Sequence, residues 1–253
     1  MKKRKWILLA ACFVLGWLCG SRMDRGGAGE TIVRVETVEE TAAQVETAGT
    51  QPTGETSRTK QTDEAGTEEW NLVLVNRWNP LDSDPEITLT QLRNGQAVDE
   101  RCYPDLQEMM DACRAAGLSP LICSSYRTME DQAALYQAKI RDLIQSGSSE
   151  TEAQTLAGTI VAVPGTSEHQ LGLAVDIVDE NYQLLDENQE NTDVQKWLME
   201  HSWEYGFILR YPSDKSDVTG IIYEPWHYRY VGKEAAKEIY ESGLCLEEYL
   251  EQT

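Results

Sequence analysis

A chain of 253 residues is long enough for one enzyme-sized domain with extensions, and 41% hydrophobic residues allow a real core. The formal net charge is −21; the first 25 residues carry +5, from Lys2, Lys3, Arg4, Lys5, Arg22 and Arg25 against Asp24, so the remainder carries −26. A body this acidic repels phosphate backbones and anionic lipid surfaces, which argues against nucleic acid as a partner and leaves only the N-terminal segment for a membrane.

MKKRK precedes an uncharged, mainly apolar run from Trp6 to Gly20. A basic segment before an apolar one directs export. The run is shorter than the ~20 residues of a full span, and no convincing small-x-small cleavage site follows it. Residues 1–23 therefore read as a signal anchor, with a cleaved signal peptide as the alternative and a lipoprotein box at Leu9-Ala10-Ala11-Cys12 as a third reading. In each case the rest of the chain lies outside the cytoplasm. Residues 24–69 form an acidic Thr/Glu/Gly-rich stretch without an aromatic residue before Trp70. Such a composition buries too little apolar surface to offset chain entropy, so a disordered linker is expected.

The folded domain is expected over 70–253. WNLVLVN (70–76) has a strand pattern, and NPLDSDP after it is turn chemistry. Leu106, Met109, Met110 and Cys113 recur at helical spacing over 103–116, closed by Gly117. SPLICSSY (119–126) reads as a strand, 129–146 as a helix, and GLAVDIV (172–178) as a strand. Thr192 caps a helix to Tyr205; FILRY and GIIYEPWHYRYV are further strands, and a closing helix covers 232–242. Helices and short strands mix without a βαβ rhythm, so the fold class is α+β: a single domain with a small, mainly antiparallel sheet packed with helices. Cys102, Cys113, Cys123 and Cys245 include no C-x-x-C pair, so one or two disulfides and free thiols both stay open.

Chemistry concentrates in TSEHQLGLAVDI (166–177) and EPWH (224–227). Asp176 between Val175 and Ile177 is costly to bury unless something positive compensates it. His169, Asp176 and His227 make two imidazoles and one carboxylate, the donor set of a catalytic zinc with an open fourth position, and Glu224 is placed to exchange a proton beside it. Each histidine alone is more simply a hydrogen-bonded structural residue. His201 shares a helical face with Val194, Trp197, Leu198 and Tyr205 and reads as a core or edge residue, whereas Glu168 and Asp179 read as solvated charges or groups behind the ligands. Trp226 either walls a pocket or packs in the core.

SSYRT (124–128), PGTSEHQLGLAVDI (164–177) and YEPWHYRYVG (223–232) resemble the three signature blocks of the VanY-type D-alanyl-D-alanine carboxypeptidases, grouped with the L,D-carboxypeptidases among the LAS zinc peptidases of peptidoglycan. The resemblance covers about residues 70–250. It implies one zinc ion per chain on His169, Asp176 and His227, at the sheet, with Glu224 as general base and acid. It further implies that Arg127 contacts substrate and stabilises developing negative charge, and that Ser167 and Gln132 help to bind substrate. The expected substrate is a peptidoglycan stem peptide losing its terminal D-alanine at the outer face of a bacterial membrane, the enzyme being monomeric. L,D-carboxypeptidase, endopeptidase and non-catalytic wall-binding readings stay open beside it.

Overall fold

In the computed structural model, residues 69–252 are described; the expected anchor, the linker up to residue 68 and Thr253 lie outside the described residues. A hairpin of β1 (Leu89–Gln91) and β2 (Ala97–Asp99) leads into α1 (Tyr103–Ala115) and β3 (Pro120–Ser124). Next come α2 (Met129–Gln145) and α3 (Glu150–Ile160), each opened by a capping box: Thr128 with Asp131, then Ser149 with Glu152. A 3₁₀ turn (Glu168–Leu171) feeds β4 (Ala174–Asp179), and α4 (Asp193–His201), capped by Thr192, continues as a 3₁₀ turn to Tyr205. β5 (Phe207–Leu209), the short α5 (Ser216–Thr219), β6 (His227–Tyr230), α6 (Lys233–Ser242) and α7 (Leu246–Gln252) complete the domain.

The main sheet is antiparallel in the order β3-β4-β6-β5, so the α+β expectation holds. Alternation along its strands separates two faces. Val175, Ile177, Tyr228, Tyr230 and Phe207 point into one core, where Leu106, Met109 and Met110 of α1 and Val194 and Leu198 of α4 cover them. Between these residues along the strands stand Asp176, His227, Arg229 and Ile208, which belong to the opposite face. There α6 and α7 pack Ala235, Ala236, Ile239, Leu246 and Tyr249 around Ile208 and Leu72. Apolar burial thus fills both flanks, and the polar site residues share one face.

Several elements differ from expectation. Residues 70–76 form no strand: Trp70 and Asn71 lie in a turn, and the segment joins no ladder apart from an isolated bridge of Asn76 to Asn79. Two of its carbonyls, those of Asn71 and Val73, accept from a side chain instead: Nη2 of Arg229 donates to them at 3.0 and 2.9 Å. Residues 220–226 form a turn-rich approach, so the last strand begins only at His227. The β1–β2 hairpin, α3 and α7 were not anticipated. All four described cysteines are free, and burial raises every one of their thiols, Cys102 and Cys123 to about 12.

Candidate metal centre and active site

Register assembles the centre. Asp176 on β4 lies opposite His227 on β6 and Ser124 on β3, so three residues from three strands meet on one face. His169 arrives from the 3₁₀ turn, where its Nδ1 pairs with the carbonyl of Ser125 at 2.7 Å. That bond makes Nδ1 the protonated nitrogen and turns Nε2 toward Asp176 Oδ2, 3.4 Å away. Gly172 ends the turn with φ +67°; a Cβ there would sit 2.9 Å from the backbone nitrogen of Asp99, so the bend between His169 and β4 requires glycine.

One donor atom each from His169, Asp176 and His227 falls within 4.8 Å of the others, and all three residues are buried. The imidazole rings meet edge to face at 4.9 Å. Asp176 Oδ1 lies 3.0 Å from His227 Nδ1, and the two histidines hold the Asp176 carboxyl far below its usual range although burial works the other way. Burial, then the Arg127 cation, lowers His169 to about 4. For His227 burial opposes charge, but the carboxylates of Asp176, Glu168 and Glu224 around the ring outweigh it and raise it to about 9. Two imidazoles and one carboxylate converging in a buried site, with the acid stabilised only by those rings and a distant Arg127, fit a divalent zinc ion.

Glu224 is 8% exposed, and its Oε2 lies 3.8 Å from His227 Nδ1. Its carboxylate accepts no hydrogen bond from a described residue, and burial raises it to about 8. Arg127 approaches from the other side. Its Nη1 donates to Ser124 Oγ at 2.8 Å and lies 3.9 Å from Asp176 Oδ2, and its Nε donates to Gln132 Oε1 at 3.0 Å. No described residue takes the hydrogens of Nη2, so half of the guanidinium fork is free.

Family comparison agrees with this geometry. Residues 95–233 match the family model VanY, D-alanyl-D-alanine carboxypeptidase. The chain belongs to the VanY family. A D-alanyl-D-alanine carboxypeptidase of Enterococcus faecalis is 49% identical over 183 residues, which cover 72% of this chain and 66% of that relative's length. A VanY D,D-pentapeptidase from a VanB-type resistance cassette, solved with Zn(II), is 49% identical with a TM-score of 0.66, covering 72% of this chain and 99% of that one. VanYB in complex with D-alanine-D-alanine gives 49% identity and a TM-score of 0.67 over 72% and 98%. The L,D-carboxypeptidase LdcB is 33% identical with a TM-score of 0.58 over 76% and 92%. This VanY member is thus a zinc metallocarboxypeptidase, and His169, Asp176 and His227 are the donors that fit its metal.

The other expected site residues occupy distinct places. Ser167, 3% exposed, precedes the 3₁₀ turn, and its hydroxyl bonds to no described residue. Gln132 is buried with its amide engaged: besides accepting from Arg127 it donates to the carbonyl of Ala162 at 2.7 Å. Trp226 is buried two residues after Glu224, its carbonyl accepting from Ile177. His201 pairs with Glu204 at 2.8 Å on α4, away from the centre. Tyr211 was missed: its ring lies 4.8 Å from that of His227, and GFILRYP gives no local sign of it. Glu168 is more than a solvated charge, for it is 1% exposed and ion-paired to Arg210 and Arg229.

Proposed function

We propose that this VanY enzyme hydrolyses the terminal peptide bond of peptidoglycan stem pentapeptides and releases D-alanine. The observation that carries the reading is the unpartnered Glu224 carboxylate held 3.8 Å from one of three convergent metal donors. A structural zinc site is closed by four protein ligands, whereas three donors and a free glutamate make a catalytic one. A bound zinc ion supplies Lewis acidity to the scissile carbonyl and to the attacking water. Glu224 accepts the proton of that water and returns it to the amine of the departing D-alanine, so each turnover consumes one water and leaves the glutamate ionised again. Arg127, anchored by Ser124 and Gln132, offers its free Nη2 edge to the substrate carboxylate or to the developing oxyanion. Ser167 supplies an uncommitted hydroxyl two residues before His169, and Trp226 stands between Glu224 and His227.

The D,D assignment rests on 49% identity to D,D-enzymes, against 33% to LdcB. Incubating the domain with defined penta- and tetrapeptide stems and weighing the products tests it. Tetrapeptide and free D-alanine from the pentapeptide are expected; cleavage of the tetrapeptide alone would reassign the enzyme as L,D, and intact peptides with a full complement of zinc would make it a binding module. The basic–apolar N-terminus supports display outside the cytoplasm on a membrane anchor. Recovery of the full chain in the soluble cytoplasmic fraction would overturn that placement.

A further inference from the structure

We propose that Glu168 is a positioning residue for the metal centre: its buried carboxylate holds the proton of His227 on Nε2 and so leaves Nδ1 bare for zinc. The inference rests on the zinc reading above. His227 Nε2 and Glu168 Oε2 are both buried, lie 3.6 Å apart, and have no other polar partner. A small rotation of the ring closes that gap into a hydrogen bond. On the other edge of the ring, Nδ1 lies 3.0 Å from Asp176 Oδ1 and 3.8 Å from Glu224 Oε2, so the proton that Nδ1 carries toward Asp176 without metal is the one zinc displaces, while the proton on Nε2 stays with Glu168.

Glu168 cannot turn away. Its Oε1 accepts from Arg210 Nε at 2.7 Å and from Arg229 Nη1 at 2.8 Å, and both arginines are fully buried. Arg210 is clamped in turn by Glu247 of α7, through Nη1 at 2.8 Å and Nη2 at 2.6 Å, and Glu247 accepts from Asn76 at 3.0 Å. Two cations and two anions balance within the network, so Glu168 delivers an aligned acceptor rather than an uncompensated charge. Carboxylates behind a ligating histidine fix its tautomer and orientation, and their loss typically costs 10–100-fold in metal affinity.

Glu168→Gln makes the test sharp. The two arginines demand the amide oxygen at the Oε1 position, which sends the NH₂ group toward His227 Nε2. The ring must then accept at Nε2 and carry its proton on Nδ1, the atom needed by the metal. Zinc affinity would be measured by chelator competition, beside the thermal stability of each metal-free protein. The parent chain binds one zinc; its failure to do so would refute the zinc reading itself rather than the role of Glu168. Glu168→Gln is expected to bind zinc about 10–100-fold more weakly, while Glu247→Gln, which disturbs the same network one step further away, changes zinc affinity less than about 3-fold at a similar loss of stability. Equal zinc affinity in Glu168→Gln and the parent, or equal weakening in both variants, overturns the proposal. Should Glu168→Gln fail to fold, ¹⁵N-histidine spectra of the zinc-loaded parent decide it. A proton on Nε2 of His227 supports the proposal, and a proton on Nδ1 sinks it.

Discussion

Removing zinc should make the stability of this domain fall as pH rises, the reverse of what an acidic protein suggests. In the metal-free chain His227 is raised from 6.5 to about 9 and Glu224 from 4.5 to about 8, the first by its carboxylate partners against burial, the second by burial. For a group raised in the folded state, stability is fully present below the unfolded pKa and is lost as pH climbs through the folded one. His227 therefore loses its contribution from pH 6.5 to about 9, and Glu224 loses its own from pH 4.5 to about 8. Because the two groups lie 3.8 Å apart, they titrate as a pair, and one proton released on unfolding is the conservative count. One proton is worth about 1.4 kcal/mol per pH unit, hence about 3 kcal/mol between pH 6.5 and 8.5. Asp176 and Glu168, held low, add no slope above pH 6.5, and His169, lowered from 6.5 to about 4, offsets only about 0.4 kcal/mol of the fall as its unfolded form finishes deprotonating. Thermal unfolding after chelation would read this as a fall in Tm of about 6–12 °C over that interval. With saturating zinc the fall should vanish or reverse, since ligation displaces the same protons and tightens with pH. A metal-free Tm that is flat or rising from pH 6.5 to 8.5 would refute the reasoning.

Two substitutions probe other parts of the site. Glu224→Gln should lower turnover about 10²–10⁴-fold while metal analysis still finds one zinc per chain, because the glutamate moves protons rather than binding the ion; undiminished turnover would remove it from the mechanism. Gly172→Ala forces a left-handed alanine and sets a Cβ 2.9 Å from Asp99 N and 3.0 Å from Ile87 Cδ1. About 1–2 kcal/mol of backbone strain plus a similar overlap cost gives about 2–4 kcal/mol, measured by urea unfolding, and a loss below about 1 kcal/mol would show that the bend relaxes freely.

What could be read from the sequence was what is local. His169 and Asp176 sit in one short block, Glu224 and His227 in another, and the residue types alone suggested a metal with an open position. Helices with a clear apolar stripe, such as α1, also appeared as expected. The Ser149–Glu152 capping box is a local cue for α3, but the helix buries only Ala153, Ala157 and Gly158, too weak an apolar stripe to mark it in the sequence. Residues 70–76 carry a strand's composition, but a strand needs a partner, and here Arg229, more than 150 residues away, supplies the hydrogen bonds. Glu168 reads from the sequence as either a solvated charge or a group behind the ligands, and the choice between them lies in Arg210 and Arg229, 42 and 61 residues further on. Buried charge networks of this kind have no sequence period.

The centre and the sheet are one object, because the strand register creates both. Ile122 faces Ile177, yet the next pair is Ser124 with Asp176, so β3 advances two residues while β4 advances one. The extra residue, Cys123, is a bulge. Without it Cys123 would stand opposite Asp176, and the hydroxyl that accepts from Arg127 Nη1 would lie out of place. On the other edge, the pairing of Asp176 with His227 sets Arg229 opposite Ala174 and Ile208, on the same face as the ligands. Arg229 there reaches Glu168 behind His227. A slip of one residue in β4 would turn Asp176 into the apolar core under α1 and α4, unpaired, and bring Val175 or Ile177 to the metal. The stability of the correct register and the assembly of the donor set therefore have the same cause: an aspartate that is tolerable at the centre of the sheet only with histidines, an arginine and a metal ion around it.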